Sequence, residues 1–279
     1  MRETKFIELL GGLRMELSIK IMDASGNILA ENKEHDEVML VYQRPYWEGD
    51  RIVITSSEQN VYLKVQMDDA LGSAFLYITS KELIFNIPFG EKRSSYSPKI
   101  FTGTLHCLWA RSATKEEITE YKNLALNVMD QHEAIGRFPH ATANVETRGE
   151  AVFAARNAID GVRENHSHGE WPYQSWGINR QDDAAMKLDF GRKVIIDKII
   201  LYTRADFPHD NWWKEVTLLF SDESKLQWEL EKTDKPHVLQ FDKKEVQWIE
   251  LCNMIKSDDP SPFPALTQIE VYGVEASQG

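Results

Sequence analysis

Residues 15–22 set Met15, Leu17, Ile19 and Ile21 against Glu16, Ser18 and Lys20, the two-residue period of a strand with one buried face. The segment from Asp23 to Asn27 carries turn residues, including Gly26, and Ile28 opens a return strand. Short apolar runs at 38–42, 51–55, 61–67, 74–78, 83–87 and 104–110 predict further strands, separated by turn residues such as Gly49-Asp50 and Asp68-Asp69. Thr114 and Glu117 then form the ends of a capping box, and Ile118, Tyr121, Leu124, Ala125 and Val128 fall at helical spacing. The pattern predicts a helix from 114 to between 130 and 133, with Gly136 and Pro139 forbidding its continuation. Such a helix reads as a connector between domains, or alternatively as a partner-binding element. The second half returns to strand patterns at 187–190, 194–203, 215–220, 226–230, 238–241, 246–254 and 269–274, with turns at Gly191-Arg192, Asp222-Glu223-Ser224 and Asp258-Asp259-Pro260. Few helical periods interrupt these runs, so a parallel βαβ architecture is poorly supported.

The expected fold class is therefore all-β: two β-sandwich or jelly-roll domains joined by a helix. The expected boundaries are 1–112 for the first domain, 113–136 for the helix and linker, and 137–279 for the second. No internal repeat relates the halves clearly enough to assert a shared fold.

Composition narrows the function. A net charge of −12 argues against nucleic acid, whose phosphates need clustered Lys and Arg, and equally against an anionic membrane surface. The two cysteines, Cys107 and Cys252, lie in apolar stretches of different halves and read as buried thiols. Acidic residues interrupt the N-terminal segment where a secretory signal needs an apolar core, and no apolar run reaches membrane-spanning length. A cytoplasmic location is the expectation from those features.

Candidate chemistry concentrates in the second half. Between His166 and Trp176 the chain gathers His166, His168, Glu170, Trp171, Tyr173 and Trp176. Loops usually carry turn-forming Gly, Ser, Asn and Asp, so a segment this rich in imidazole and aromatic rings points to a binding surface. A second such segment carries Arg204, Asp206, His209, Asn211, Trp212 and Trp213.

The motifs around these loops carry a family resemblance. Ala141-Thr-Ala-Asn-Val-Glu-Thr147, Asn157-Ala-Ile-Asp160-Gly161, Trp176, Leu188-Asp189-Phe190-Gly191 and Ile269-Glu270-Val271-Tyr272-Gly273 occur in the order seen in discoidin domains. The second half thus resembles the coagulation factor 5/8 type C domains, which belong with galactose-binding-like jelly rolls and family 32 carbohydrate-binding modules. That resemblance implies an eight-stranded β-sandwich with a ligand site in the loops at one end, and a structural calcium. Carried onto this chain, the calcium shell would draw on Asp160, the carbonyls of Asn157 and Val162, and positions Asn165 and Gln268. Asn165 stands where the family has a hydroxyl and Gln268 where it often has glutamate; the second change removes a charge from the site.

A sugar presents apolar C–H faces and a ring of hydroxyls, so its site pairs aromatic platforms with fixed polar groups. The resemblance brings the two loops to one rim, giving a ligand set of His166, His168, Trp171, Tyr173, Arg204, Asp206, His209, Asn211 and Trp212. Trp176 is expected in the core, one of Trp212 and Trp213 should point inward, and Trp171 is the expected exposed platform. The leading reading is a non-catalytic carbohydrate-binding protein whose partner is an oligosaccharide. Two others stay open. His166, His168 and His209, with Glu170 or Asp210, could hold a transition metal in an enzyme, although no nucleophile elbow, phosphate loop or dinucleotide fingerprint is present. A protein-interaction domain is the third.

Overall fold

The computed structural model of the protein describes residues 14–167, 169–205 and 211–276. The first half supplies β1 (Glu16–Met22), β2 (Ile28–His35), β3 (Glu37–Tyr42), β4 (Arg51–Ser56), β5 (Val61–Gln66), β6 (Ser73–Ile78), β7 (Glu82–Asn86) and β8 (His106–Ser112). A five-residue helix α1 (Lys115–Thr119) is followed by the short strands β9 (Lys122–Asn123), β10 (Arg137–Phe138), β11 (His140–Ala143) and β12 (Trp176–Gly177). Five longer strands complete the chain's β structure: β13 (Met186–Thr203), β14 (Trp213–Phe220), β15 (Lys225–Glu229), β16 (His237–Lys256) and β17 (Ala265–Glu275).

These strands form three antiparallel sheets. Two belong mainly to the first half, with orders β2-β1-β4-β7 and β10-β6-β5-β8-β3, and enclose a core that includes Leu17, Ile19, Ile54, Leu63, Leu76 and Phe85. The alternation read from the sequence is literal on β3, where Val38, Leu40 and Tyr42 are buried and Glu37, Met39 and Val41 exposed. The third sheet, ordered β12-β17-β13-β16-β14-β15 with β11 on β13 and β9 on β17, surrounds a separate core that includes Trp176, Phe190, Ile199, Trp213, Leu251 and Val271. Among the described residues no helix is long and apolar enough to cross a membrane.

The long connecting helix does not form. Its capping box is present, with Thr114 Oγ1 accepting from the Glu117 amide and Glu117 accepting from the Thr114 amide. Helical geometry nevertheless stops at Thr119, and Glu120 is extended. Strand pairing outcompetes it: the Leu124 amide donates to the Val271 carbonyl at 2.7 Å, and Asn123 Oδ1 accepts from the Val271 amide at 3.0 Å. The stripe that reads as one helical face is divided between two cores, Leu124 and Ala125 packing into the second and Val128 against the first. Tertiary burial thus overrides local propensity, as it commonly does for short amphipathic segments.

The connector also crosses the boundary expected at 137. After β9 has joined the second half's sheet, β10 pairs with β6 of the first half's, and β11 returns to β13. Asp130, fully buried, accepts from the Ala141 amide and pairs with His140 at 2.7 Å. Across the same junction the buried Arg192 and Glu275 side chains pair through two bonds of 2.9 and 2.5 Å, and Tyr62 donates to Glu275 at 2.9 Å. Gly191 sits at φ +67°, where the Phe138 ring covers it so closely that a Cβ would lie 2.2 Å from Phe138 Cδ2. Only glycine suits both demands.

Candidate functional site

The aromatic loop ahead of β12 is closed on itself. The His166 amide donates to the Pro172 carbonyl at 2.7 Å, and the Ser167 hydroxyl donates to the Glu170 carbonyl at 3.1 Å. This closure leaves the His166 side chain exposed and Trp171 and Tyr173 half-buried. Trp176 turns inward, fully buried, and its indole donates to the Val145 carbonyl. At the start of β14, Trp213 is also buried, 6.4 Å from the Trp176 ring, whereas Trp212 remains half-buried. Alternation in extended chain accounts for that division of labour.

Arg204 joins the two segments. Its guanidinium is buried and donates to the Tyr173 carbonyl at 3.1 Å, while its amide donates to the Ala265 carbonyl at 3.0 Å. Asn211 plays a different part. It is buried, its Nδ2 donates to the carbonyls of Ser257, Asp259 and Ser261, and its Oδ1 accepts from the Trp212 amide and the Ser257 hydroxyl. With its amide fully engaged, Asn211 shapes the 257–261 loop and has little left to offer a sugar. His168, Asp206 and His209 lie outside the described residues. Among the described residues no group of three or more His, Cys, Asp and Glu is placed to hold a metal.

Beside this junction lies a cavity of about 220 Å³ that sequence reasoning missed, lined by Thr147, Arg148, Phe153, Gly177, Ile178 and the segment 263–265. It belongs to the same rim: Gly177 pairs with Ala265, Arg204 is bonded to Ala265, and the Ser175 amide donates to the Val152 carbonyl. Arg148 lies 5.4 Å from the Phe153 ring centre and Arg180 lies 4.7 Å from that of Phe263. Phe153 and Phe263 are single aromatics in ordinary loop stretches, so nothing in the linear pattern marks them.

Of the five positions implied for calcium, Asp160 and Val162 bond each other directly, the other three bond residues outside the set, and among the described residues Asn165 Oδ1 is buried without a partner. Gln268 Nε2 donates to the Ala158 carbonyl at 2.7 Å while its Oε1 accepts from the Gly161 amide at 3.1 Å. Asp160 accepts from the Val162 amide at 2.8 Å and from Gln174 Nε2 at 2.9 Å. Asn157 bonds the Ala151 and Ser175 carbonyls, and Asn165 bonds the Thr267 hydroxyl. Calcium needs six to eight oxygens around one point. Here a single carboxylate is present and the Gln174 carboxamide N–H donates to it, so the side chains as placed do not fit the ion. Burial pushes the Asp160 carboxyl up to about 6, with Arg156, Gln174 and the Val162 amide opposing it.

A second and larger cavity, about 660 Å³, opens between the two halves. Phe89 and Tyr96 from the first half contribute ring surface, and His132 and the turn at 149–151 close the far side. His132 pairs with Glu146 at 2.5 Å, which holds its imidazole above the usual pKa. The Ala151 amide donates to Glu91 at 2.7 Å and ties the walls together.

No model of a known protein family matches the chain, and no curated protein matches it. Among solved structures it is similar to chitosan-binding module 1 of the chitosanase/glucanase from Paenibacillus sp. IK-5, at 19% identity over 54% of this chain and 98% of that one, with a TM-score of 0.39. It is similar to the lectin domain of lectinolysin complexed with Lewis B antigen at 18% identity over 56% and 98% of the two chains, TM-score 0.39. A third similarity is to the family 32 module of NanJ from C. perfringens in complex with galactose, at 17% identity over 47% and 91%, TM-score 0.36. Each spans about half of this chain, and at these scores the likeness decides neither ligand nor site.

Proposed function

We propose that the protein is a non-catalytic carbohydrate-binding protein whose second half is a galactose-binding-like sandwich with its ligand site on the rim beside Arg204. The observation that supports this most is the Arg204 bond to the Tyr173 carbonyl, which brings the aromatic loop and the strand-end loop together next to an apolar cavity. Trp171, Tyr173 and Trp212 supply ring faces for sugar C–H groups, and Phe153 and Phe263 wall the adjoining pocket. His166, together with His168, Asp206 and His209, supplies hydroxyl readout. Each hydrogen bond to a sugar replaces one to water and contributes only about 0.5–1.5 kcal/mol, so single-sugar affinity is weak and the aromatic faces dominate.

The test is glycan-array screening followed by calorimetry on wild type, Trp171→Ala, Trp212→Ala and Phe263→Ala. Binding that falls tenfold or more in these variants, with melting temperature unchanged, is the expected result. Failure to bind any glycan, or binding indifferent to all three substitutions, would refute the reading.

A further inference from the structure

The cavity between the halves abuts the proposed rim. The turn at 146–153 serves both: Arg148 and Phe153 line the rim cavity, while Glu146, Glu150 and Ala151 line the larger one. The Arg148–Glu150 ion pair, at 2.5 Å, spans the crest between them. Burial raises the pKa of Tyr173 first, but the next contributions come from Glu150 and Glu91 of the larger cavity, with Arg204 of the rim opposing them.

Size and lining indicate what the larger cavity can take. Its volume of about 660 Å³ lies in the range of ligand clefts, which favour the junctions between packed units. The rim cavity, at about 220 Å³, is below that range and suits a single sugar ring. Phe89 and Tyr96 offer ring surface in the larger cavity, although Arg156 covers part of Tyr96 at 4.4 Å. Its wall carries the carboxylates of Glu48, Asp50, Glu91, Glu133, Glu146 and Glu150 against two permanent cations, Lys92 and Arg156. Even with Glu146 paired to His132 and Glu150 to Arg148, Glu48, Asp50, Glu91 and Glu133 outnumber Lys92 and Arg156, and that excess of negative charge disfavours acidic ligands.

We infer that the cavity between the halves is a second carbohydrate subsite, continuous with the rim across the 146–153 crest, and that it takes further residues of an oligosaccharide lacking acidic groups. This rests on the carbohydrate reading of the rim and adds the first half of the chain to the binding surface. The linked subsites raise affinity with chain length, because the second contact is made by a ligand already held.

Calorimetry with cello-, galacto-, manno- and N-acetylchito-oligosaccharides of one to six residues, and with oligogalacturonates of equal length, tests it. At least one neutral series should bind tenfold or more tighter at four to six residues than as a monosaccharide, and the oligogalacturonates should bind more weakly. Phe89→Ala should abolish the gain with length while leaving monosaccharide affinity unchanged. Glu133→Trp, at an exposed position on the cavity wall, should do the same by obstruction without touching the core. Affinity independent of length, a length gain that survives both variants, or oligogalacturonate binding as tight as neutral binding would overturn the inference and leave the rim reading standing. No binding by any series would overturn both.

Discussion

Gln268 is one of the positions that the resemblance to discoidin domains implies for calcium, and Gln268→Glu tests its part in the surrounding hydrogen-bond set. The change replaces the Nε2 donor with an acceptor, so the buried Ala158 carbonyl loses its 2.7 Å partner and faces an oxygen. Leaving such a group unpaired costs about 1–3 kcal/mol, and a new carboxylate brought near Asp160 adds to it, for a total of about 2–4 kcal/mol. At about 2.1 cal/mol/K of unfolding entropy per residue, each kcal/mol moves the melting temperature of this 279-residue chain by about 2 °C, so Gln268→Glu should melt about 4–8 °C below wild type in EDTA. The variant also provides the second carboxylate that the donor set lacks. If calcium then binds with a Kd near 0.1 mM, 10 mM calcium restores about 2.7 kcal/mol. Differential scanning fluorimetry with EDTA and with 10 mM calcium reads both effects. Wild type should melt at the same temperature in either buffer. A wild-type melting temperature that rises by several degrees with calcium, or a variant as stable as wild type in EDTA, would refute this reasoning.

Three further outcomes follow from the geometry at the junction between the halves. Gly191→Ala places a Cβ 2.2 Å from Phe138 Cδ2 at φ +67°, and the overpacking and backbone strain together should cost about 2–4 kcal/mol by denaturant unfolding. Phe138→Ala in the same chain should relieve the steric part, so a double-mutant cycle that is additive would contradict the contact. Glu275→Ala leaves Arg192 buried beside the Tyr62 and Tyr77 rings without its carboxylate and should destabilise by about 3–5 kcal/mol, with Arg192→Met in the same chain recovering part of the loss. Glu146 raises the His132 pKa above its unfolded value, so the pair's contribution is complete below the unfolded pKa near 6.5 and disappears as pH rises through the folded one. The melting-temperature gap between wild type and His132→Ala should therefore be wider at pH 6 than at pH 9, and a gap that is constant or widens with pH would contradict the pairing.

Much of the strand framework was legible because alternation records one-sided burial. The runs at 38–42 and 51–55 coincide closely with β3 and β4, and the turns between them carry the residues that turns require. The connector was not legible. Leu124, Ala125 and Val128 have helical spacing, yet they serve two cores, and spacing holds no record of which core an apolar residue enters. The pairing of β10 with β6 is not legible for a related reason, since β10 is two residues long and its pairing is a long-range event without a local pattern. In the site, the inward turn of Trp176 and the split between Trp212 and Trp213 followed from position, but the engaged amide of Asn211 did not. Its three carbonyl partners are more than forty residues away along the chain. Phe153, Phe263 and the cavity between the halves are products of tertiary proximity alone.

Whether the rim beside Arg204 holds a carbohydrate is read most directly from the eight tryptophan indole N–H resonances while an oligosaccharide that binds is titrated in. Trp171 and Trp212, half-buried on the rim, should shift with a shared saturation curve, while Trp248, opposite Asp189 and bonded to Ser221 at the far end of β14, should stay fixed. Shifts confined to Trp47 or Trp109 in the first half, with Trp171 and Trp212 unmoved, would contradict binding at the rim.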